Sequence, residues 1–240
     1  MTIDLFVPCY IDQFYPETAF NAIKILKECD VTVNYNSQQT CCGKIAFESG
    51  FWEEAKELGE KFISIFNGDN PIIGLSISCI AHIQNHFKNL FHNSGSHLEY
   101  QKVSNNIFSI EDFLVNHVKR TNFGATFKSK AVYHDSCSSL NHYRNDISFD
   151  ARKLLKNVDE LELIELDEFD TCSGCGSLFS PKYSALSAAL NEQEVKKAIE
   201  IGANHIIVSD SGCMINLNSY IKHNDLPISV IHIIDVISSF

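Results

Sequence analysis

Cysteine recurs in this chain in two sets at matching intervals. Cys9, Cys41 with Cys42, and Cys79 form the first; Cys137, Cys172 with Cys175, and Cys213 form the second, so intervals of 32 and 38 residues are answered by 35 and 41. Each cysteine comes shortly after an apolar, β-branched run. In open parallel sheets the carboxyl ends of strands line the crevice where ligands bind, so three such segments bring distant thiols together. The repeat therefore predicts two similar halves, each able to gather four thiols.

The segments between the cysteines agree with that reading. Strands are predicted at 3–6, 31–35 and 72–75, with helices at 16–29, at about 46–66 and after Cys79. Pro16 followed by Glu17 is a good first turn for the helix over 16–29. The second half repeats the order, with strands at 131–133, 161–166 and 205–209 and helices at 149–157, 181–201 and after Cys213. Alternation of this kind calls for α/β architecture: two pseudo-symmetric halves, each a parallel sheet flanked by helices with cysteine-bearing loops at the strand carboxyl ends. The stretch 92–106, rich in His, Asn, Ser and Gly, reads as a connecting loop, with a short helix at 110–119 after it. The expected organisation is a first half over 1–105, a connector over 106–130 and a second half over 131–240.

Composition narrows the chemistry. The 240 residues, 45% of them hydrophobic, are ample for a buried core, and a net charge of −11 with no basic run argues against nucleic acid. The N-terminus carries Asp4 and no positive leader, and no stretch reaches the roughly 20 apolar residues of a transmembrane segment. The expectation is a cytoplasmic protein, membrane-associated only through a partner. Nine cysteines, an odd number, make a disulfide framework a poor explanation and leave metal or redox chemistry in front. Cys29, at a helix end outside both sets, reads as a buried small hydrophobe.

The thiolates Cys9, Cys41, Cys42 and Cys79 suffice for a [4Fe–4S] cluster or a tetrahedral zinc site, and so do Cys137, Cys172, Cys175 and Cys213. Gly43, Gly174 and Gly176 would let the backbone approach a bound group and aim amides at it. Thiolate softness does not choose between iron–sulfur and zinc. His134 and Asp135 before Cys137 raise the alternative of a Cys–His nucleophile, which four convergent thiols disfavour. His82, one helical turn after Cys79, reads by default as a solvated surface histidine, as do His86, His92 and His97. The acidic run 159–170 reads as a solvated strand and loop. No nucleotide loop or GxSxG elbow occurs.

The segments VPCYIDQFYPE, QQTCCGKIAFESG, HDSCSSLNHYR, TCSGCGSLFSPKY and SDSGCMIN resemble the cysteine-rich CCG-domain family, in order over nearly the whole chain. That family includes the cysteine-rich subunit of heterodisulfide reductase, iron–sulfur subunits of glycolate and anaerobic glycerol-3-phosphate dehydrogenases, and small lactate-utilisation proteins. The absence of a CxxCxxCxxxCP segment makes the chain most similar to the last group. The resemblance implies an iron–sulfur redox subunit of a multi-protein system oxidising L-lactate to pyruvate. Its partners would be a ferredoxin-type iron–sulfur protein and a third small lactate-utilisation protein. It also implies a [4Fe–4S] cluster on the first set and iron–sulfur or zinc on the second. Two departures stand out. His82 and Asn216 occupy the positions where heterodisulfide reductase subunits complete a CxxC, which weighs against thiol–disulfide chemistry. Ser173 replaces the second thiol of the second CCG, so Cys175 is the expected substitute. A zinc-binding scaffold subunit is the alternative from another class.

Overall fold

The computed structural model describes residues 1–141, 143, 147–165 and 172–240. The first apolar run, Thr2–Phe6, forms strand β1, and all but its first residue is buried. A strand buried on both faces belongs inside a parallel sheet covered by helices. β1 pairs in parallel with β2 (Thr32–Asn34) on one side and β3 (Ile72–Gly74) on the other, and β4 (Ile107–Ser109) joins β3.

The second sheet repeats the plan. β5 (Thr126–Tyr133) lies between β6 (Asp159–Ile164) and β7 (His205–Val208), and β8 (Ser229–His232) pairs with β7. The orders β2-β1-β3-β4 and β6-β5-β7-β8 are the same, and every pairing is parallel. The duplicated α/β architecture is therefore present.

Three apolar clusters hold the layers together. One draws on both halves, joining Ile3, Leu5, Ile25 and Leu26 to Phe113, Leu154, Ile207 and Ile233. A second lies on the other face of the first sheet and is built on aromatic rings, with Phe6 edge-on to Phe62 at 4.9 Å and Phe87 against Phe91 at 5.4 Å. The third, with Val195, Val208, Leu217 and Ile221, covers the corresponding face of the second sheet. Close packing fixes the helix that carries Cys79: a Cβ on Gly74 would lie 2.8 Å from Ile80 Cγ1. Only glycine lets the end of β3 run so close beneath that helix.

Several local expectations are corrected. The predicted loop over 92–106 contains the helix His97–Asn105, because Tyr100 and Val103, three residues apart, bury on one face. Strands β4 and β8, as short as β3 and β7, were not expected, because no cysteine of the repeat follows them directly. β4 lies within the stretch read as a connector, yet it pairs with β3. The helix expected at about 46–66 is two helices, Lys44–Glu48 and Trp52–Phe66, broken where Gly50 takes φ +84°. The helix expected at 181–201 is divided at Tyr183 into Phe179–Lys182 and Ser184–Glu200. Helices Ile77–Phe91 and Ser211–His223 begin two residues before Cys79 and Cys213. Those two cysteines thus sit in first helical turns rather than loops. Leu166, the last residue of a predicted strand, and 167–170, the end of the acidic run, lie outside the described residues.

Candidate metal centres

All eight repeated cysteines come to the carboxyl ends of the strands. Cys9 follows β1 and opens the short helix Cys9–Phe14; Cys137 follows β5 and opens Cys137–Asn141. Cys79 and Cys213 stand in the first turns of their helices, where unpaired amides and the helix dipole favour negative charge. Cys41 with Cys42 follows β2, and Cys172 with Cys175 follows β6. Cys29 lies apart, against the apolar cluster shared by the halves.

The first set is a continuous chain of thiols. Cys9 and Cys42 both hydrogen-bond to Cys41, and Cys42 reaches Cys79. Cys41 is the thiolate end: the bonds from Cys42 and Cys9 hold it well below the usual thiol range, against the opposing effect of burial. The backbone N–H of Gly43 also donates to its Sγ at 3.4 Å. That amide is aimed by φ +83° at Gly43, a left-handed conformation that a side chain would strain.

The second set has the same parts in two pairs. Cys137 bonds to Cys172, which its donation lowers to about 6 despite burial, with help from the Gly174 N–H at 3.4 Å. Gly174 has φ +67°, matching Gly43. Cys175 Sγ lies 3.5 Å from Cys213 Sγ, so Cys175 stands to Cys213 as Cys42 stands to Cys79. The glycine turn Cys172–Cys175 thereby delivers a second thiol past Ser173. Ser173 is itself buried, and the bond from Cys213 holds Cys175 below the usual thiol range against the opposing effect of burial. Gly176 lines the adjoining cavity, and its carbonyl accepts from the Phe179 N–H at 2.5 Å.

Two neighbouring cavities separate the sets. One of about 40 Å³ is bordered by Cys9, Cys41, Cys42 and Cys79. The other, about 150 Å³, is bordered by Cys137, Cys172, Cys175 and Cys213, and faces Lys44, His82 and His86 from the first half. Cys175 borders both. Four soft donors around each space, with amides aimed at one of them, fit a thiolate-held metal or iron–sulfur group.

Asp210 ties the two sets together. Its Oδ1 accepts from the Gly212 and Cys213 amides at 2.9 and 3.1 Å, capping the Cys213 helix. Its Oδ2 crosses to the other half, accepting from the Ser78 amide at 2.7 Å and the Ser76 hydroxyl at 3.1 Å. Burial alone would push this carboxyl up; the bonds from Ser78 and Cys213 and the charge of Lys44 hold it below the usual carboxylate range. Asp210 lies close enough to Cys175 and Cys213 to count as an oxygen donor, but four donors already occupy the roughly four lone-pair directions of a carboxylate. Its task is positioning.

Three side chains acquire roles that sequence reading missed or misread. His134 does not activate Cys137; its Nδ1 pairs with Glu194 at 2.6 Å, both residues 1% exposed, and Asp135 is held by Arg152 instead. Burial pushes His134 down, but Glu194 more than offsets it and raises it to about 9. Lys44 is paired with Glu48, which Ser177 from the second half also contacts. His82, expected in solvent, is 2% exposed and packed against Phe47 and His86. Burial, then the charges of His86 and Lys44, pushes it down to about 3, so it is a neutral imidazole. The signal for Asp210 was present: Asp three residues before Cys213 is an N-cap pattern, with Ser76 in the same place before Cys79.

A protein whose two parallel sheets each gather four cysteines at their strand ends is a duplicated cysteine-rich domain. The chain matches the CCG cysteine-rich domain over residues 3–84 and 131–218, and it belongs to that family. It is 30% identical to lactate utilization protein A 2 of Bacillus cereus strain Q1, over 99% of this chain and 98% of that protein. It is likewise 30% identical to lactate utilization protein A of Halalkalibacterium halodurans, over 99% of this chain and 97% of the relative. Among solved structures, a hypothetical protein from Helicobacter pylori shares the fold, with a TM-score of 0.58 at 12% identity. The alignment covers 98% of this chain and 48% of that one.

Proposed function

We propose that this chain is an iron–sulfur redox subunit of a multi-protein system that oxidises L-lactate to pyruvate. The observation that carries the reading is the duplicated thiol geometry, in which Cys175 restores to the second set the contact that Cys42 makes in the first. Full-length similarity to lactate utilization protein A supports the choice of substrate system. Cys9, Cys41, Cys42 and Cys79 would hold a [4Fe–4S] cluster, and Cys137, Cys172, Cys175 and Cys213 an iron–sulfur or zinc group. When bound, an iron–sulfur group supplies one-electron transfer.

The chain's own residues hold and bias those groups. Gly43 and Gly174 each present an amide to a thiolate, and Asp210 fixes the helix turns that carry Cys79 and Cys213 relative to each other. Hydrogen bonds to ligating sulfur and burial are the levers by which a protein sets such a group's potential. Electrons would pass to or from a ferredoxin-type iron–sulfur protein and a third small lactate-utilisation protein. Among the described residues no helix is long and apolar enough to cross a membrane.

Anaerobic purification tests the reading. Brown protein with iron and sulfide in near-equal amounts, and an EPR signal that lactate elicits only when the partner proteins are added, is the expected result. Colourless protein containing zinc and no sulfide would replace it with the scaffold reading, to which Ser173 in place of a thiol lends its one specific observation.

A further inference from the structure

His82 is a histidine with no explanation in the packing around it. Both ring nitrogens are buried and neither has a hydrogen-bond partner among the described residues, although the ring is well held by Phe47, His86 and Phe87. A buried imidazole that leaves both nitrogens unused is costly, and such groups call for a partner not made of protein. His82 lies on the wall of the 150 Å³ cavity, facing Cys137, Cys172, Cys175 and Cys213 across it. Among the described residues no other buried histidine is placed this way: His134, also with one unused nitrogen, is not on that wall and spends its Nδ1 on Glu194.

The charge of the cavity says what kind of ligand it takes. Asp210 leaves the wall net negative, because Lys44 and Glu48 pair with each other at 2.8 Å. A free anion would meet net repulsion there; a metal group would not. A neutral imidazole offers such a group a lone pair, and mixed thiolate and imidazole sets suit both zinc and iron.

We propose that His82, contributed by the first half, is a nitrogen ligand of the metal group held by the second cysteine set. The proposal rests on the metal-binding reading of that set. It makes the second centre a product of both halves, with one donor crossing from the helix that carries Cys79. It also distinguishes the two centres chemically: thiolates alone in the first, thiolates and imidazole in the second.

The test uses the full chain reconstituted anaerobically with iron and sulfide, reduced, and studied by pulsed EPR with nitrogen-15 labelled histidine. The expected result is a strong coupling to one imidazole nitrogen, lost in His82→Phe and lost together with second-set iron in a Cys172→Ser, Cys213→Ser double variant. His82→Cys, which keeps a soft donor, should retain metal and lose the nitrogen coupling, so the result stands even if His82→Phe folds poorly. A coupling that persists in His82→Cys, or second-set iron without any strong nitrogen coupling, overturns the proposal. Sulfide analysis decides separately whether the group is iron–sulfur. If it is not, cobalt(II) titration of the same proteins still reads the ligand. His82→Phe should then shift the cobalt absorption bands and weaken binding at least about tenfold, the low end of what loss of even an outer partner of a ligand costs. Unchanged bands and affinity would sink the idea in that case.

Discussion

Asp210 Oδ2 accepts the backbone amide of Ser78 at 2.7 Å, so the carboxylate that caps the helix of Cys213 also caps the helix of Cys79 in the other half. Ser76 occupies the equivalent position before Cys79 and bonds back to Asp210 at 3.1 Å. The two thiol sets are therefore registered through one buried group. A cap of this kind contributes about 1 kcal/mol per helix, and leaving its buried donors unpaired adds to the loss. Asp210→Ala should destabilise the metal-free protein by roughly 2–4 kcal/mol in urea unfolding, and Asp210→Asn by less, since an amide oxygen still accepts. An Asp210→Ala protein of unchanged stability would show that the capping does not couple the helices.

Gly43 and Gly174 sit at φ +83° and +67°, where L-residues pay about 1–2 kcal/mol. A Cβ on Gly174 would also approach Ser187 Cα to 3.1 Å. Gly43→Ala and Gly174→Ala should each lower stability by about that amount and lower the metal content of their own set, measured by iron and sulfide analysis of each variant. Loss of metal from the opposite set would contradict the pairing of each glycine with its own cysteines.

Cys175→Ser should remove the second-set group while leaving the first, so that roughly half of the bound iron or zinc is lost if both sets are loaded. Cys29→Ser should leave metal content unchanged, because Cys29 packs against the apolar core away from both cavities. Metal analysis with circular dichroism to verify folding separates the two variants. Full metal content in Cys175→Ser would mean that Ser173 or another donor serves in its place.

The buried His134–Glu194 pair gives stability a pH dependence of known sign. The folded-state pKa of His134 is raised from 6.5 to about 9, so its contribution is fully present below pH 6.5 and is lost as pH rises through 9. The span corresponds to roughly 3 kcal/mol. Urea unfolding at pH 6 and pH 9.5 should show a larger fall for the natural sequence than for Glu194→Gln, in which the imidazolium loses its counter-charge. Equal falls in the two proteins would place the pH dependence elsewhere.

The duplication and the membership of each thiol set were legible in the chain because they follow from order and interval. Apolar, β-branched runs announced β1, β2, β3, β5, β6 and β7, and the cysteines behind them announced the strand ends. β4 and β8 are no shorter than β3 and β7, but no cysteine of the repeat stands directly behind them to mark a strand end, and their pairing with β3 and β7 is what defines them. The helix His97–Asn105 was hidden by its polar composition; only burial of Tyr100 and Val103 holds it.

What the sequence determined by itself is which residues carry soft donors and that they recur twice, because residue type and spacing along a covalent chain need no partner. What only the tertiary structure decided is how those donors meet. Nothing local distinguishes Cys175 from a turn cysteine until Cys213 stands 3.5 Å away, nor Asp210 from an ordinary cap until Ser78 arrives from the other half. Nor could spacing tell His82 from a surface histidine, since burial of its ring is imposed by Phe47 and Phe87 and by the second half closing over that face. Burial and cross-half contacts are set by packing between distant segments, and that is the part of the site a linear reading cannot hold.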